Sequence, residues 1–236
     1  MKKLLLFSNS TNYGSDFLQH AINPIKEFLE ENNVKKIVFI PYAIVSLTYD
    51  DYENRVKRKF KEIGFDITSI HNFEDKIEVI NKSECIVVGG GNTFQLLNLI
   101  YETGIYNVIK EKVNNGCPYI GWSAGSNIAC PTISTTNDMP IVFPKTFQAF
   151  GFINFQINPH FTEKTIENHA GETREQRIKE FLSLNPSIKV LGLREGCWLK
   201  ILDNRIFHFG NATSKLFLSK NQFIEITNGE VTHFFV

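Results

Sequence analysis

The feature that most constrains this chain is an alternation of short apolar runs with segments whose apolar residues recur every three or four positions. Runs near Leu4 to Phe7, Ile37 to Pro41, Ile67 to Ile70, Ile86 to Gly89 and Tyr119 to Trp122 are too short for helices and read as buried strands. Between them, Phe17, Ala21, Ile25, Phe28 and Leu29, and then Tyr52, Val56, Phe60 and Ile63, keep helical spacing. Strands alternating with helices predict an α/β fold with a mostly parallel sheet flanked by helices. After Ile133 the pattern loosens. A helix is expected around Arg174 to Leu184, then a strand at Lys189 to Leu193 and a strand-rich tail, in which Asn228-Gly229 is a hairpin signal. No repeat, linker or low-complexity run divides the 236 residues, which read as a single domain, 1–236.

Charge and length narrow the partners. Lysine plus arginine and aspartate plus glutamate each total 25, so no overall field gathers nucleic acid or an anionic membrane, and a small-molecule partner is expected. The apolar runs are far shorter than the roughly 20 residues of a membrane span. The apolar start Leu4-Leu5-Leu6-Phe7 breaks into Ser8-Asn9-Ser10-Thr11 too early for a signal peptide, so a cytoplasmic location is expected. Cys85, Cys117, Cys130 and Cys197 stand far apart with no C-x-x-C pair, which predicts reduced thiols and no zinc site. Cys130 and Cys197 flank the motifs described next, where they could play a supporting part.

In open α/β sheets ligands bind beyond the carboxyl ends of the parallel strands. Four segments fall there: Ser8 to Thr11, Gly89 to Asn92, Gly121 to Gly125, and Arg194-Glu195-Gly196. Gly121-Trp122-Ser123-Ala124-Gly125 fits Gly-x-Ser-x-Gly between a strand and a helix, the setting that exposes a nucleophilic serine and offers the Ala124 amide to an oxyanion. A tight turn with Ser123 as a helix N-cap fits the same residues. In Gly89-Gly90-Gly91-Asn92, the Gly91 amide is the candidate second oxyanion donor; a glycine turn for close helix packing is the alternative. Neither phosphate-binding pattern, G-x-G-x-x-G nor the P-loop, is met.

A serine nucleophile needs a base, and His20, His71, His160, His169, His208 and His233 compete. His160 stands out in Asn158-Pro159-His160, where an apolar stretch ends in a Pro-fixed loop. His20 falls in an amphipathic helix, and His208 and His233 in the tail, where structural roles are expected. The orienting acid is either Glu195, after the strand ending at Leu193, or Asp138, in the polar loop after the serine turn. Arg194 is placed to compete for the Glu195 carboxylate. Thr173-Arg174-Glu175-Gln176 forms a capping box, which puts Arg174 in a first helical turn where its charge opposes the helix dipole. A bound anion or local pairing with Glu172 and Glu175 would relieve that conflict.

These segments together resemble the peptidase E family of α-aspartyl dipeptidases. The similarity runs nearly the whole chain, through Leu6 to Thr11, Val88 to Leu97, Gly121 to Cys130, Thr135 to Val142, Gln156 to Thr162 and Gly171 to Arg177. The resemblance implies a class I glutamine amidotransferase-like, flavodoxin-like three-layer fold and hydrolysis of dipeptides with an N-terminal aspartate. It carries the nucleophile onto Ser123, the histidine onto His160 and the acid onto Glu195 or Asp138. Chain order, serine then histidine then acid, favours Glu195. Arg174 would bind the substrate aspartate, and no metal or organic cofactor is expected. Where the family usually reads Leu-Pro-Glu-Gly-Asn-Trp, this chain has Leu193-Arg194-Glu195-Gly196-Cys197-Trp198. The alternatives are a cyanophycinase-like peptidase for β-aspartyl linkages, an inactive relative that binds acidic metabolites, and a glutamine-handling domain, which normally carries cysteine in place of Ser123.

Overall fold

The structure, a computed structural model, describes residues 1–165 and 170–235. Five strands form the parallel centre: β1 (Lys3–Phe7), β2 (Ile37–Ile40), β3 (Ile67–Ser69), β4 (Cys85–Val88) and β5 (Tyr119–Trp122). Their spatial order is β1-β5-β4-β2-β3. Alternate residues feed two different cores, which explains why β1, β2, β4 and β5 read as apolar runs, whereas the edge strand β3 keeps Thr68 exposed. Leu4, Leu6, Val38, Ile40, Ile86 and Val88 face one core, and Leu5, Phe7, Phe39, Val87, Ile120 and Trp122 face the other.

Helices α1 (Ile22–Glu31) and α2 (Tyr49–Glu62) cover the second core through Ile25, Phe28, Leu29, Tyr52, Val56 and Phe60. Helices α3 (Lys76–Lys82), α4 (Thr93–Glu102) and α5 (Tyr106–Asn114) cover the first through Ile80, Leu96, Leu97, Ile100, Ile109 and Val113. Three of these helices are capped by side chains: Thr48 accepts from the Asp51 amide, Asp75 from Glu78 and Asn92 from Gln95. The helical spacing that begins at Phe17 becomes helix only from Ile22. Leu18 adopts φ 56°, which a continuing helix cannot accommodate, and Pro24 then sits in the first turn, where its missing N–H costs nothing.

A short helix α6 (Ala124–Asn127) follows β5, and then comes β6 (Gln156–Phe161). Helix α7 (Arg174–Leu184) begins in the expected capping box between Thr173 and Gln176. The strands β7 (Val190–Arg194), β8 (Cys197–Leu202), β9 (Arg205–Gly210), β10 (Ser214–Ser219), β11 (Gln222–Ile226) and β12 (Gly229–Glu230) complete the chain. They divide between two sheets. β8, β9 and β12 extend the main sheet antiparallel from β1, making eight strands, while β6, β7, β10 and β11 form a second sheet with α7 packed on it through Ile178 and Leu182.

The expected hairpin at Asn228-Gly229 is not there. β11 pairs with β10 and β12 with β9, so this turn carries the chain from one sheet to the other. The hairpin turns of the tail lie instead between Leu202 and Arg205 and between Ser219 and Gln222. No helix of the described residues is long and apolar enough to cross a membrane.

His208 is buried in β9, its Nε2 2.8 Å from Ser214 Oγ, and burial pushes its pKa down to about 4 from an ordinary 6.5. A histidine held neutral in the fold but free to charge when unfolded contributes stability fully above the unfolded pKa. That contribution is lost as pH falls from about 6.5 toward 4, by roughly 2–4 kcal/mol. Urea denaturation at pH 7, 5.5 and 4.5 is expected to give a steeper acid loss for wild type than for His208→Gln. Parallel losses would mean that His208 does not govern it.

Candidate active site

β5 ends at Trp122, and Ser123 follows with φ 53° and ψ −113°, outside the regions ordinary residues occupy. This is a strained strand-to-helix turn, and the serine side chain makes no capping bond to α6. Its Oγ lies 2.9 Å from His160 Nε2, and His160 Nδ1 lies 2.7 Å from Glu195 Oε1. A carboxylate only accepts, so Nδ1 carries the proton and Nε2 is left to accept from the serine hydroxyl.

His160 is aimed by a defect in the sheet. β6 and β7 are in register through Asn158 and again at Phe161, with the pairing shifted between them, and His160 adopts φ 53° within that shift. A bulge turns the side chain out of the sheet, and Pro159 has no N–H to leave unpaired. The His160 amide donates to Ser8 Oγ at 2.8 Å, and Ser8 Oγ donates to Leu193 O at 2.7 Å. Glu195 sits in the turn between β7 and β8, where the Gly196 amide donates to Asn9 Oδ1 at 2.8 Å. Arg194 does not compete for Glu195. Its guanidinium reaches the other way, to Glu225 at 2.8 Å and Glu163 at 2.7 Å.

Asp138 is not brought to His160. Its Oδ2 accepts from the Thr93 amide at 2.7 Å and from Thr136 Oγ1 at 3.0 Å, where a carboxylate complements the amino terminus of α4. It nevertheless lines the same cleft, of about 460 Å³, as Ser123, His160, Gly91 and Arg174. The Gly91 and Ala124 amides have no acceptor among the described residues. Gly91 has φ +139°, and a side chain there would run into Ala43 O at 2.2 Å, so this backbone tolerates no other residue. Gly90 is locked beside it. Tyr52 Oη accepts from the Gly90 amide at 3.0 Å and from Trp122 Nε1 at 2.9 Å, and its burial pushes its pKa up to about 12.

Arg174 is half-buried at the start of α7 and lines the cleft. Its Nη1 is buried with no hydrogen-bond partner among the described residues. Local pairing does not absorb it: Glu172 lies 3.8 Å from Arg177, and Glu175 pairs with Lys179 and Lys215. Burial lowers its pKa, opposed by the nearby charge of Glu195.

The remaining histidines stand apart from the serine. His20 lies in a turn before α1, not within it, edge-on to Phe7, and burial lowers its pKa. His71 bonds Ser69 and Asp50, and His233 is in the last helical turn; His169 lies outside the described residues. The cysteines are free: Cys130 Sγ accepts from the Ile157 amide and Cys197 Sγ contacts Ala212 O, so both brace backbone near the site.

Serine, imidazole and carboxylate in line, beside unengaged amides at the carboxyl edge of a parallel sheet, form the arrangement of a serine-type hydrolase. The chain belongs to peptidase family S51, whose model matches residues 4–209. It is 54% identical to a Peptidase E of Nostoc sp. over 216 residues, covering 92% of this chain and 89% of that one. It is 45% identical to the Peptidase E of Salmonella arizonae, covering 96% and 98%, and 45% identical to that of Haemophilus influenzae, covering 87% and 96%. The fold is similar to the crystal structure of a peptidase from an acI-B1 Actinobacterium, with TM-score 0.74 at 17% identity over 98% and 96% of the two chains. A Listeria monocytogenes structure gives TM-score 0.70 at 22% identity over 90% and 100%. The protein is therefore a serine-type peptidase on an α/β sheet flanked by helices. These relatives favour neither a cyanophycinase-like enzyme nor an inactive binding protein.

Sequence reasoning passed over Ser8, Asn9 and Tyr52 as individual residues. The signal present was a pair of polar residues directly after the apolar run Leu4 to Phe7, Ser8-Asn9, both of them wholly buried. Replacing Ser8 with alanine leaves the His160 amide without its acceptor. It is expected to lower kcat for peptide hydrolysis about 10- to 100-fold with little change in KM, as a small misplacement of the His160 imidazole against Ser123 would. Steady-state kinetics on Ser8→Ala tests this; a change confined to KM would contradict it.

Proposed function

We propose that this peptidase cleaves the bond after the N-terminal aspartate of Asp-X dipeptides through an acyl-enzyme on Ser123. The observation that carries the substrate reading is the buried Nη1 of Arg174, without a partner among the described residues, in the cleft that holds Ser123. A half-buried guanidinium without a carboxylate is an incomplete site, and the substrate β-carboxylate completes it with charge-assisted hydrogen bonds.

In the proposed mechanism Ser123 Oγ attacks the scissile carbonyl as His160 Nε2 takes its proton, while Glu195 holds the imidazole in the required tautomer and stabilises its charged form. The amides of Gly91 and Ala124 bind the oxyanion. His160 then gives its proton to the departing amine, and water, activated by the same imidazole, releases aspartate. Asp138 has a different role from the orienting acid: one oxygen holds the start of α4, and the other is available to the substrate ammonium group. The cation and anion of an N-terminal aspartate thus meet opposite charges in one cleft.

Glu195→Gln is expected to lower kcat for Asp-Leu by about 10³- to 10⁴-fold. Asp138→Asn is expected to act mainly on KM. The reverse pattern would make Asp138 the orienting acid. Arg174→Met is expected to abolish most of the preference for Asp-Leu over Asn-Leu, a change of about 10- to 100-fold in the ratio of kcat/KM values. An unchanged ratio would remove Arg174 from the specificity site.

A further inference from the structure

The cleft around Ser123 has two chemically different ends. At one, Arg174 and Asn137 continue into a second cleft of about 360 Å³ that also carries Lys164 and Arg177. At the other, Phe17 and Arg55 continue into a groove along α2 lined by Asp16, Arg58 and Glu62. These two side clefts have no residue in common, so Arg174 and Arg55 mark different exits from the cleft that holds Ser123. Ile44 and Leu47 line the main cleft together with Phe17, which gives the Arg55 side an apolar wall.

Arg55 is held for use. Its guanidinium carbon lies 4.2 Å above the Phe17 ring, and that ring meets Trp122, the residue before the nucleophile, edge-on at 6.3 Å. Arg55 also stands three residues after Tyr52, on the same side of α2, so the helix that braces Gly90 carries it. Stacking on an aromatic face fixes the guanidinium plane and leaves its edge N–H groups free for a planar anion. Among the described residues no carboxylate pairs with it.

We propose that Arg55 binds the C-terminal carboxylate of the residue that leaves from Ser123, whose side chain lies against Phe17, Ile44 and Leu47. This assignment rests on the dipeptidase reading above and explains how the enzyme measures length. Each further residue moves the terminal carboxylate by up to about 3.5 Å, past the fixed guanidinium. The apolar wall accepts varied second residues, while the two arginines fix the ends of the substrate.

The experiment compares Asp-Leu with Asp-Leu-amide, which lacks the terminal charge, in wild type, Arg55→Met and Arg177→Met. Wild type is expected to prefer the free acid by about 10- to 100-fold in kcat/KM, with the difference mainly in KM. Arg55→Met is expected to bring that ratio close to one, Arg55→Lys to restore part of it, and Arg177→Met to leave it as in wild type. With Asp-Leu cleaved by wild type, an acid-to-amide ratio unchanged in Arg55→Met overturns the assignment. So does a ratio lost in Arg177→Met instead, or an Arg55→Met effect confined to the choice between Asp-Leu and Asn-Leu. If wild type cleaves neither compound, the dipeptidase reading fails first and takes this assignment with it.

Discussion

Everything at this site depends on the carboxyl end of β1, where three consecutive residues each hold one member of the serine, histidine and glutamate line. Phe7 O accepts from the Ser123 amide at 3.1 Å, Ser8 Oγ accepts from the His160 amide, and Asn9 Oδ1 accepts from the amide that follows Glu195. Ser123 and His160 both hold φ near 53°, a conformation that costs of order 1–3 kcal/mol for a residue with a side chain. It persists because these hydrogen bonds over-determine it. A central parallel strand, buried on both faces, is the most rigid element available to register residues that lie far apart in the chain.

Close packing around the turn serves the same end. A side chain on Gly125 would meet Val88 O at 2.3 Å, so α6 can start this close to β4 only with glycine there. Tyr52 bridges the glycine loop and Trp122, which ties the two proposed oxyanion amides to one phenol. The ionic network on the far side of Glu195 has a matching function. Arg194 takes Glu225 and Glu163, Glu163 also takes Lys215, and Lys215 takes Glu175 in the first turn of α7. The turn that bears Glu195 and the helix start that bears Arg174 are therefore joined through one set of charges, and Glu195 is left to its histidine.

The parallel strands β2, β4 and β5 were legible because burial on both faces leaves no polar position, and the Gly121–Gly125 turn because its chemistry forces its composition. The tail was harder. Its strands alternate as any antiparallel strand does, and pairing partners are set by register and sheet twist, so Asn228-Gly229 read as a hairpin when it is a crossing between sheets. The bulge at His160 was visible only as a proline in an apolar stretch. Composition and loop setting did not separate Asp138 from Glu195, although chain order favoured Glu195; in the assembled fold Glu195 reaches the His160 imidazole and Asp138 the Thr93 amide. The neighbouring charge of Arg194 misled for the same reason: Arg194 ends β7 with its guanidinium on Glu225 and Glu163, while Glu195 stands in the turn beyond the strand.

If Ser123, His160 and Glu195 act as one unit, a double-mutant comparison reveals it. Wild type, Ser123→Ala, Glu195→Gln and the double variant would be assayed on the same dipeptide. With Ser123 already removed, Glu195→Gln is expected to cost little further in kcat, because the proposed triad without its serine has nothing left to orient. Losses that multiply, so that the double variant falls by the product of the two single effects, would contradict it.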